Sequence, residues 1–219
     1  MAKDLVILGA GGFGREASLL VEEINKTGPD EAKWNLIGFI DEDESKWGLK
    51  MRGYPVLGGW EVLEKLAAGV AVICVVGEPK DKKKLVERAE AQGREFATLL
   101  HPEVELSGDI SIGTGVLINK GCLLTTNIKI GSHVSVNPGC GIGHDALIGP
   151  YTTLMWRVNI SGAVKIGAGC MIGSGATVLQ GISIGEWSAT GAGAVVTKDL
   201  PAQVTAAGVP ARVIKTRER

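Results

Sequence analysis

The stretch IGSHVSVNPGCGIGHDALIG, residues 130–149, shows the pattern that decides the fold, which is an aliphatic residue at every sixth position. The spacing runs from residue 100 to residue 184 without a change of phase, meets Thr190 and resumes at Val196. A second set of mostly small residues lies four positions after each aliphatic residue, and glycine often follows the aliphatic residue directly. Fixed short periods are typical of solenoids, and a period of six is typical of a β-helix.

This period predicts a three-sided prism in which three hexads make one coil. Strands of successive coils stack about 4.8 Å apart, the aliphatic and small residues fill the interior, and glycine serves the tight corners. Because the phase is unbroken over residues 100–195, we expect about five coils and no long loop projecting from the prism. A single smooth prism lacks a deep pocket, so the sequence predicts a site between prisms and therefore an oligomer.

Residues 1–99 have no such repeat and instead alternate short apolar segments with helical patterns. The pattern predicts helices over residues 15–26, near 59–68 and over 80–92, with Gly53-Tyr54-Pro55 as a loop. It predicts strands over residues 4–9, 35–40, 71–76 and 96–100. Strands that alternate with helices indicate a small parallel α/β sheet. We therefore expect two domains, a Rossmann-like α/β domain over 1–99 and a β-helix with a short C-terminal tail over 100–219.

Charge, hydropathy and cysteine placement exclude several classes of protein. The formal net charge of −1 gives no electrostatic basis for nucleic-acid binding. The first twelve residues predict a core strand rather than a signal peptide, and no apolar stretch is long enough to span a bilayer, so we expect a cytoplasmic protein without membrane association. The four cysteines show no metal spacing, and Cys122, Cys140 and Cys170 fall at the small inward position, which predicts buried free thiols and no metal site.

A glycine loop, Gly9-Ala10-Gly11-Gly12-Phe13-Gly14, follows the first strand and opens the first helix. Backbone N–H groups at a helix N-terminus suit a phosphate. Asp41 ends the second strand, where its side chain can contact a ribose or a base. Taken alone, this pattern indicates NAD. The domain has only about 95 residues, roughly half of a full dinucleotide fold, which favours a nucleotide-sugar. A tight turn without a ligand is the alternative.

His144 and Asp145 occupy the two outward corner positions of one hexad. A histidine accepts a proton near neutral pH, and a neighbouring carboxylate can orient its ring and support its charged form. The alternative is an ordinary surface histidine beside an aspartate. We expect His133 to be a surface or interface residue and His101 to be structural. Cys140 is a rival nucleophile that its inward position disfavours.

Several segments of the repeat resemble a family of hexapeptide-repeat sugar acetyltransferases, the group of sialic acid O-acetyltransferases and UDP-bacillosamine-type N-acetyltransferases. The segments are Asn137-Pro138-Gly139 with Ile142-Gly143-His144-Asp145, residues 160–167 and 191–199, and Gly208-Val209-Pro210-Ala211. The resemblance covers essentially the whole chain, including the glycine loop. It implies a left-handed β-helix, whereas the usual crossover rule alone predicts the opposite hand. It also implies a homotrimer with active sites between subunits.

The resemblance further implies acetyl-CoA as co-substrate and a role for each matched residue. His144 is the general base, Asp145 its partner, and the N–H of Gly162, one coil along, holds the thioester oxygen where charge develops in the transition state. No acyl-enzyme is implied. The matched substrate-binding residues are Gly11, Gly12, Phe13, Asp41, Glu42, Gly77 and Asn137. The matched cofactor-binding residues are Gly162, Ser174, Ala192, Lys198 and Arg212.

Two departures from the family pattern concern the substrate. Thr152-Thr153 stands where many relatives carry a second histidine, and Trp156-Arg157 stands where they usually read Pro-Gly. We expect Trp156-Arg157 to project near the active-site groove and either reshape the acceptor or CoA pocket or pack against a neighbouring subunit.

The sequence thus predicts an acetyl-CoA-dependent N-acetyltransferase that acts on a nucleotide-linked 4-amino-4,6-dideoxy sugar. O-acetylation of sialic acid or another sugar is the alternative within the same class. A nucleotide-sugar-binding trimer without catalysis and a purely structural β-helix are the alternatives outside it.

Overall fold

A computed structural model of the chain describes residues 2–29 and 33–217. Its contacts divide the chain into two compact units, Met1–Gly77 with Asp81–Pro102 and Glu78–Lys80 with Glu103–Arg219. The sequence predicted that residues 1–99 bind the nucleotide-sugar and residues 100–219 carry out the transfer. This division of roles stays a prediction. Over the described residues, no helix combines the length and the hydropathy that crossing a bilayer requires.

The first unit is an α/β sheet with three helices, as the alternating pattern predicted. The helices are α1 Gly12–Thr27, α2 Trp60–Lys65 and α3 Pro79–Ala91. The strands are β1 Lys3–Leu8, β2 Trp34–Ile40, β3 Lys50–Met51, β4 Tyr54–Gly58 and β5 Ala71–Cys74. The sheet order is β3-β4-β2-β1-β5, and every pairing is parallel except that of β3 with β4. The loop predicted at Gly53-Tyr54-Pro55 is wrong in part, because Tyr54 and Pro55 belong to β4, where Pro55 pairs with the edge strand β3.

The apolar faces of these elements meet in one core. The side chains of Leu5, Ile7, Phe39 and Ile73 are fully buried on the sheet, and α1 covers them with a buried stripe that includes Leu20. The chain leaves β1 through α1 in one direction along the sheet and leaves β4 through α2 in the other. The carboxyl ends of β1, β2 and β5 therefore border a crevice where parallel α/β sheets bind ligands.

The second unit is a left-handed parallel β-helix, as the repeat and its family resemblance predicted. Its short strands follow β6 Leu99–Leu100 of the first unit and are β7 Ser111–Ile112, β8 Leu117–Ile118, β9 Leu123–Leu124, β10 Lys129–Ile130, β11 Ser135–Val136, β12 Gly141–Ile142, β13 Leu147–Ile148, β14 Thr153–Leu154, β15 Asn159–Ile160, β16 Lys165–Ile166, β17 Met171–Ile172, β18 Thr177–Val178, β19 Ser183–Ile184, β20 Ala189–Thr190 and β21 Val195–Val196. A C-terminal hairpin of β22 Val204–Ala207 and β23 Arg212–Thr216 closes the unit.

Three faces arise because each residue pairs with the equivalent residue of the next coil, from Ser111↔Lys129 to Thr177↔Val195. The first face contains β7, β10, β13, β16 and β19; the second contains β8, β11, β14, β17, β20 and the hairpin; the third contains β9, β12, β15, β18 and β21. The constant pairing confirms that no long loop interrupts the coils between residues 111 and 196.

The periodic aliphatic residues fill the prism from Ile118 onward, but not at its beginning. From Ile118 to Val196 the aliphatic positions are buried, whereas Leu100 and Ile112 are half-buried, and Leu106 is 38% exposed and lies outside any strand. The regular coils thus begin at β7, later than the repeat in the sequence. The three repeat cysteines are buried free thiols, as predicted.

The corners between faces hold residues in the left-handed backbone region, one per turn. The turn from the second to the third face uses Gly121, Gly139, Arg157, Gly175 and Gly193. The turn from the third to the first face uses Asn127, Asp145, Ala163 and Gly181. Asn and Asp adopt this conformation more readily than other side chains, so the positions of Asn127 and Asp145 suit the backbone.

His133 was predicted to be a surface or interface residue, and the surface alternative is wrong, because its own column of corner residues covers it. The interface alternative stays a prediction. The His133 side chain is only 3% exposed. Its ring stacks on Tyr151, one coil along, with ring centroids 5.4 Å apart and planes 12° apart. On the other side lies Gly115, where a Cβ would stand 2.3 Å from Nδ1 of His133. His101 is also buried and lies 3.4 Å from the carboxylate of Glu23.

Candidate active site

The corner between β12 and β13 joins an imidazole to a carboxylate. Nδ1 of His144 lies 2.7 Å from Oδ2 of Asp145, and the two side chains are 51% and 49% exposed. Asp145 has a φ of 62°, and this turn of the backbone lets it contact the side chain of its own neighbour. An ionised carboxylate only accepts hydrogen bonds, so Nδ1 carries the proton and Nε2 presents its lone pair.

The second oxygen of Asp145 is held from the preceding coil. Nδ2 of Asn127 donates to Oδ1 of Asp145 at 2.6 Å. Hydrogen bonds from His144 and Asn127 together lower the pKa of Asp145, against the opposing effects of desolvation and of the Asp109 charge. Sequence reasoning missed Asn127, although its position one full coil before Asp145 places it directly beneath that residue in the predicted prism.

Asp109, one further coil earlier, continues this column. Its carboxylate accepts hydrogen bonds from the hydroxyl groups of Ser107 and Thr126 and from the backbone N–H of Asn127. These contacts, led by that from Ser107, lower the pKa of Asp109. The corner that carries Asn127 is thus fixed by a carboxylate one coil below.

Gly162 lies against the other nitrogen of His144. A Cβ at residue 162 would stand 2.3 Å from Nε2 and 2.5 Å from Cε1 of His144. No side chain fits between this backbone and the ring. The structure therefore brings together the three residues predicted to be catalytic, His144, Asp145 and Gly162, with the lone-pair nitrogen beside the glycine.

A shallow depression of about 210 Å³ lies on the third face, next to the His144 corner. Gly141 and Gly143 contribute no side chains to it, while Leu123 and Asn159 stand on either side. Its lining residues are Leu123, Thr125, Gly141, Ile142, Gly143, Asn159, Ile160 and Ser161. The depression is open to solvent in the single chain, in keeping with the shallow surface expected of one prism.

The residues predicted to bind the cofactor lie at both edges of this third face. Gly162 and Lys198 share the His144 corner, the first one coil along the repeat and the second three coils along. Ser174 and Ala192 stand instead in the corner column that precedes the third face. Arg212 begins β23 and is exposed. One chain therefore does not gather these residues around one point, and their cofactor contacts stay predictions.

Trp156-Arg157 also lies away from His144 within the chain. The pair forms the corner between β14 and β15, at the opposite edge of the third face, with Trp156 45% exposed. The expected projection of Trp156-Arg157 near the active-site groove stays a prediction. Thr153 is buried in β14, on the second face.

Asn137, predicted to bind substrate, is engaged within the fold. It is buried, and its Nδ2 donates to the carbonyl oxygen of Leu154 at 2.9 Å. Cys140, the rival nucleophile, is also buried and donates to the carbonyl oxygen of Met155. The hydrogen bond with Cys122, together with burial, raises the pKa of the Cys140 thiol, which makes it a poor nucleophile.

The first unit holds a separate cavity of about 170 Å³ at the carboxyl ends of its central strands. Its lining residues are Leu8, Gly9, Ile40, Asp41, Glu42, Trp60, Val76 and Leu85. It thus includes Asp41 and Glu42, two of the predicted nucleotide contacts. Trp60 and Leu85 were missed, because they come from α2 and α3 and no motif marks them.

Asp41 ties the glycine loop to the end of β2. Its carboxylate accepts from the backbone N–H of Ala10 at 2.7 Å and from that of Asp43 at 2.9 Å, and it lies 3.1 Å from Nζ of Lys46. Burial raises the pKa of Asp41, but these hydrogen bonds outweigh it and lower the pKa overall. Asp41 therefore shapes the loop, and both of its oxygens already have protein partners.

The other predicted nucleotide contacts, Gly11, Gly12, Phe13 and Gly77, are not among the residues that line this cavity. Gly11 precedes the first residue of α1, and Gly12 and Phe13 form its first turn, so α1 begins three residues earlier than predicted. At Gly14 a Cβ would stand 2.1 Å from the carbonyl oxygen of Gly9, which explains the third glycine of the motif. Gly77 follows the segment that leaves β5.

Arg88 contacts two residues that line this cavity, Glu42 and Trp60. It pairs with Glu42 at 2.9 Å and lies over the Trp60 ring, 4.4 Å from its centroid. Among the residues that the structure describes, no three His, Cys, Asp or Glu side chains gather closely enough to hold a metal ion.

Two family models match the chain. One is the PglD N-terminal domain, over residues 4–89, and the other is the bacterial transferase hexapeptide of six repeats, over residues 163–198. These matches fall on the α/β unit and on the later coils of the prism.

Solved structures match almost the whole chain. WeeI from Acinetobacter baumannii AYE is 31% identical with a TM-score of 0.82, and the match covers 96% of this chain and 99% of WeeI. PerB from Caulobacter crescentus, in complex with CoA and GDP-perosamine, is 28% identical with a TM-score of 0.85 and 97% of each chain covered. The acetyltransferase domain of PglB from Neisseria gonorrhoeae FA1090 is 27% identical with a TM-score of 0.86, over 97% of this chain and all of that chain.

Curated relatives match only within the repeat. Galactoside O-acetyltransferase of Escherichia coli K12 is 60% identical over 35 residues, which are 16% of this chain and 17% of that protein. The chain thus spans about a sixth of the length of this relative.

Proposed function

This chain belongs to the hexapeptide-repeat sugar acetyltransferases, a family of acetyl-CoA-dependent enzymes, and we propose that it acetylates the amino group of a nucleotide-linked 4-amino-4,6-dideoxy sugar. The single observation that carries the proposal is the contact of His144 with Asp145 on one side and Gly162 on the other. PerB, which is similar over nearly its whole length, has been solved with CoA and GDP-perosamine, and this supports an amino-sugar nucleotide as acceptor.

In the proposed reaction, the neutral amine of the sugar attacks the thioester carbon of acetyl-CoA. Nε2 of His144 takes a proton from the amine as the N–C bond forms, and Asp145 stabilises the imidazolium through Nδ1. The N–H of Gly162 stabilises the oxyanion of the tetrahedral intermediate. The C–S bond then breaks, and the imidazolium returns its proton to the leaving CoA thiolate. The products are the acetamido sugar and CoA.

We place the nucleotide at the carboxyl ends of β1, β2 and β5, where the cavity lined by Asp41, Glu42 and Trp60 offers both polar and aromatic contacts. The glycine loop at the start of α1 directs backbone N–H groups toward that end of the sheet, which suits a diphosphate.

We propose a homotrimer whose active sites form between prisms. The depression beside His144 is open in the single chain, and the predicted cofactor residues lie at both edges of the third face. A neighbouring prism that faces this depression would exclude water from it and complete a groove for acetyl-CoA. Light scattering coupled to size exclusion tests the assembly, since a monomer at assay concentration with full activity contradicts it.

Thiol release from acetyl-CoA tests the reaction itself, with a panel of amino-sugar nucleotides, their free sugars and sialic acid as acceptors. We expect turnover with a 4-amino-4,6-dideoxy sugar nucleotide, and in His144→Ala we expect kcat to fall by roughly two to four orders of magnitude. Turnover with sialic acid and with no amine would make the enzyme an O-acetyltransferase. Binding of a nucleotide-sugar without any turnover would leave a non-catalytic trimer.

A further inference from the structure

We propose that Asn127 is a positioning residue that sets the orientation of His144 through Asp145. The proposal rests on the proposed role of His144 as the base. Its evidence is the sequence of contacts from Asn127 Nδ2 to Asp145 Oδ1, at 2.6 Å, and from Asp145 Oδ2 to His144 Nδ1, at 2.7 Å.

Asp145 needs such support because it is half exposed. A carboxylate at a solvent-exposed corner can rotate about its terminal torsion, and either oxygen can then face water. The Asn127 amide engages one oxygen and thereby leaves the other for Nδ1 of His144. Because an ionised carboxylate cannot donate, the amide must present its NH₂ group to Asp145. The contact therefore has a defined direction.

The coil below holds Asn127 in place. The backbone N–H of Asn127 donates to Asp109, and the same carboxylate accepts from the hydroxyl of Thr126. Asn127 has a left-handed φ of 53°, which asparagine tolerates well. Asp109, Asn127 and Asp145 thus form one column on three successive coils, and its last member contacts the base.

Asn127 differs from an ordinary corner residue in what it does for His144. The Asp145 contact keeps the proton on Nδ1 and leaves Nε2 unprotonated beside Gly162, where the proposed acceptor amine must deliver its proton. Loss of the amide should allow Asp145 to turn away and should populate the other neutral tautomer of His144. The expected cost is a lower kcat rather than a higher KM, because the Asn127 amide acts on Asp145 rather than on the acceptor in this proposal.

Three substitutions separate positioning from backbone effects. Asn127→Gly keeps the left-handed corner and removes the amide, and we expect kcat to fall about tenfold with KM unchanged, as for loss of a hydrogen bond to a charged group. Asn127→Asp keeps the shape but places a second carboxylate beside Asp145, and the acid limb of the kcat/KM profile should move to higher pH. Gln203→Gly is the control, since Gln203 has a similar φ of 59° at the far end of the prism. We expect it to keep wild-type kinetics.

Nitrogen-15 NMR of histidine-labelled protein gives a readout that needs no turnover. The chain has three histidines, so the His144 signals can be assigned with His144→Ala. We expect the Nδ1–H tautomer in the wild type and in Gln203→Gly, and a mixture in Asn127→Gly. Wild-type kcat, pH profile and tautomer in Asn127→Gly would overturn the proposal, as would an equal loss in Gln203→Gly. Failure of the proposed reaction would instead appear as absent turnover in the wild type, with the tautomer shift in Asn127→Gly still present.

Discussion

Nε2 of His144 lies only 2.3 Å from the point where a Cβ on Gly162 would stand. The ring and the backbone of the next coil are in direct contact, so a side chain at residue 162 would collide with the imidazole. This contact gives a specific test of the roles proposed for both residues.

Gly162→Ala should therefore inactivate the enzyme without unfolding it. The new methyl group must displace the His144 ring, and we expect kcat to fall by roughly two orders of magnitude or more, which is the effect of losing a positioned base. Steady-state thiol release measures the loss. Gly108→Ala is the matched control, because Gly108 stands three coils earlier in the same column and a Cβ there meets nothing within 4 Å. Equal activity of the two variants would contradict the assigned geometry.

Asp41→Ala should weaken binding of the nucleotide-sugar and spare the chemical step. The substitution releases the Ala10 N–H and the Asp43 N–H from their shared acceptor and loosens the glycine loop. We expect KM for the nucleotide-sugar to rise about tenfold with little change in kcat, since a charge-assisted hydrogen bond is lost. Glu44→Ala, on the exposed turn just beyond, is the control and should keep the wild-type KM. An unchanged KM in Asp41→Ala would place the nucleotide elsewhere.

Lys82→Met should stabilise the first unit at neutral pH. The Lys82 side chain is 0% exposed, and burial lowers its pKa from 10.5 to about 8, with Cys74 acting in the opposite direction. Because the folded pKa lies below the unfolded one, the penalty is complete below pH 8 and disappears as pH rises through 10.5. The shift corresponds to about 3 kcal/mol, which sets the upper limit of the gain at pH 7.

Urea unfolding of Lys82→Met at pH 7 and pH 10 checks this prediction. The gain in unfolding free energy should be clear at pH 7 and smaller at pH 10. Lys83→Met, at a partly exposed position of the same helix, should change the free energy by less than about 0.5 kcal/mol at either pH. A gain that is independent of pH would show that packing rather than charge is responsible.

Arg157→Gly should be more stable than Arg157→Ala. Arg157 has a φ of 55° in a column whose other members, Gly121, Gly139, Gly175 and Gly193, are glycines. Both variants remove the guanidinium, but alanine keeps the cost of a left-handed residue, which is about 1 kcal/mol. Thermal unfolding of the two variants gives the difference directly. Identical stability would mean that the neighbouring coils relieve the strain at this corner.

The prism was predictable from the sequence because each six-residue period corresponds to one strand and one corner of the structure. The spacing of one coil places His144 over Gly162, and it also places Asn127 under Asp145, although only the first of these pairs was recognised. His133 was misjudged for a related reason: an outward position at a corner becomes buried when Gly115 below and Tyr151 above leave room for its ring.

The first unit was less predictable, since its cavity depends on helices that no local motif connects to it. Trp60 and Leu85 reach the ends of the strands because α2 and α3 pack there. The residues around them in the sequence contain no motif that predicts this position. Pro55 was predicted to lie in a loop because proline lacks a backbone N–H. It lies instead in β4, where it pairs with the two-residue edge strand β3.

The constant pairing of each residue with its equivalent in the next coil also limits how this protein can change in length. An insertion of one residue between β7 and β21 would move every later inward side chain to another position on the prism. Only insertion or deletion of whole coils keeps the interior intact, and each whole coil adds about 4.8 Å along the axis. A coil inserted between His144 and Gly162 would separate them, whereas one inserted after Gly162 would leave their contact unchanged. Growth of such a protein by duplication of coils is therefore permitted before or after the coils that carry Asn127, His144 and Gly162, and forbidden between them.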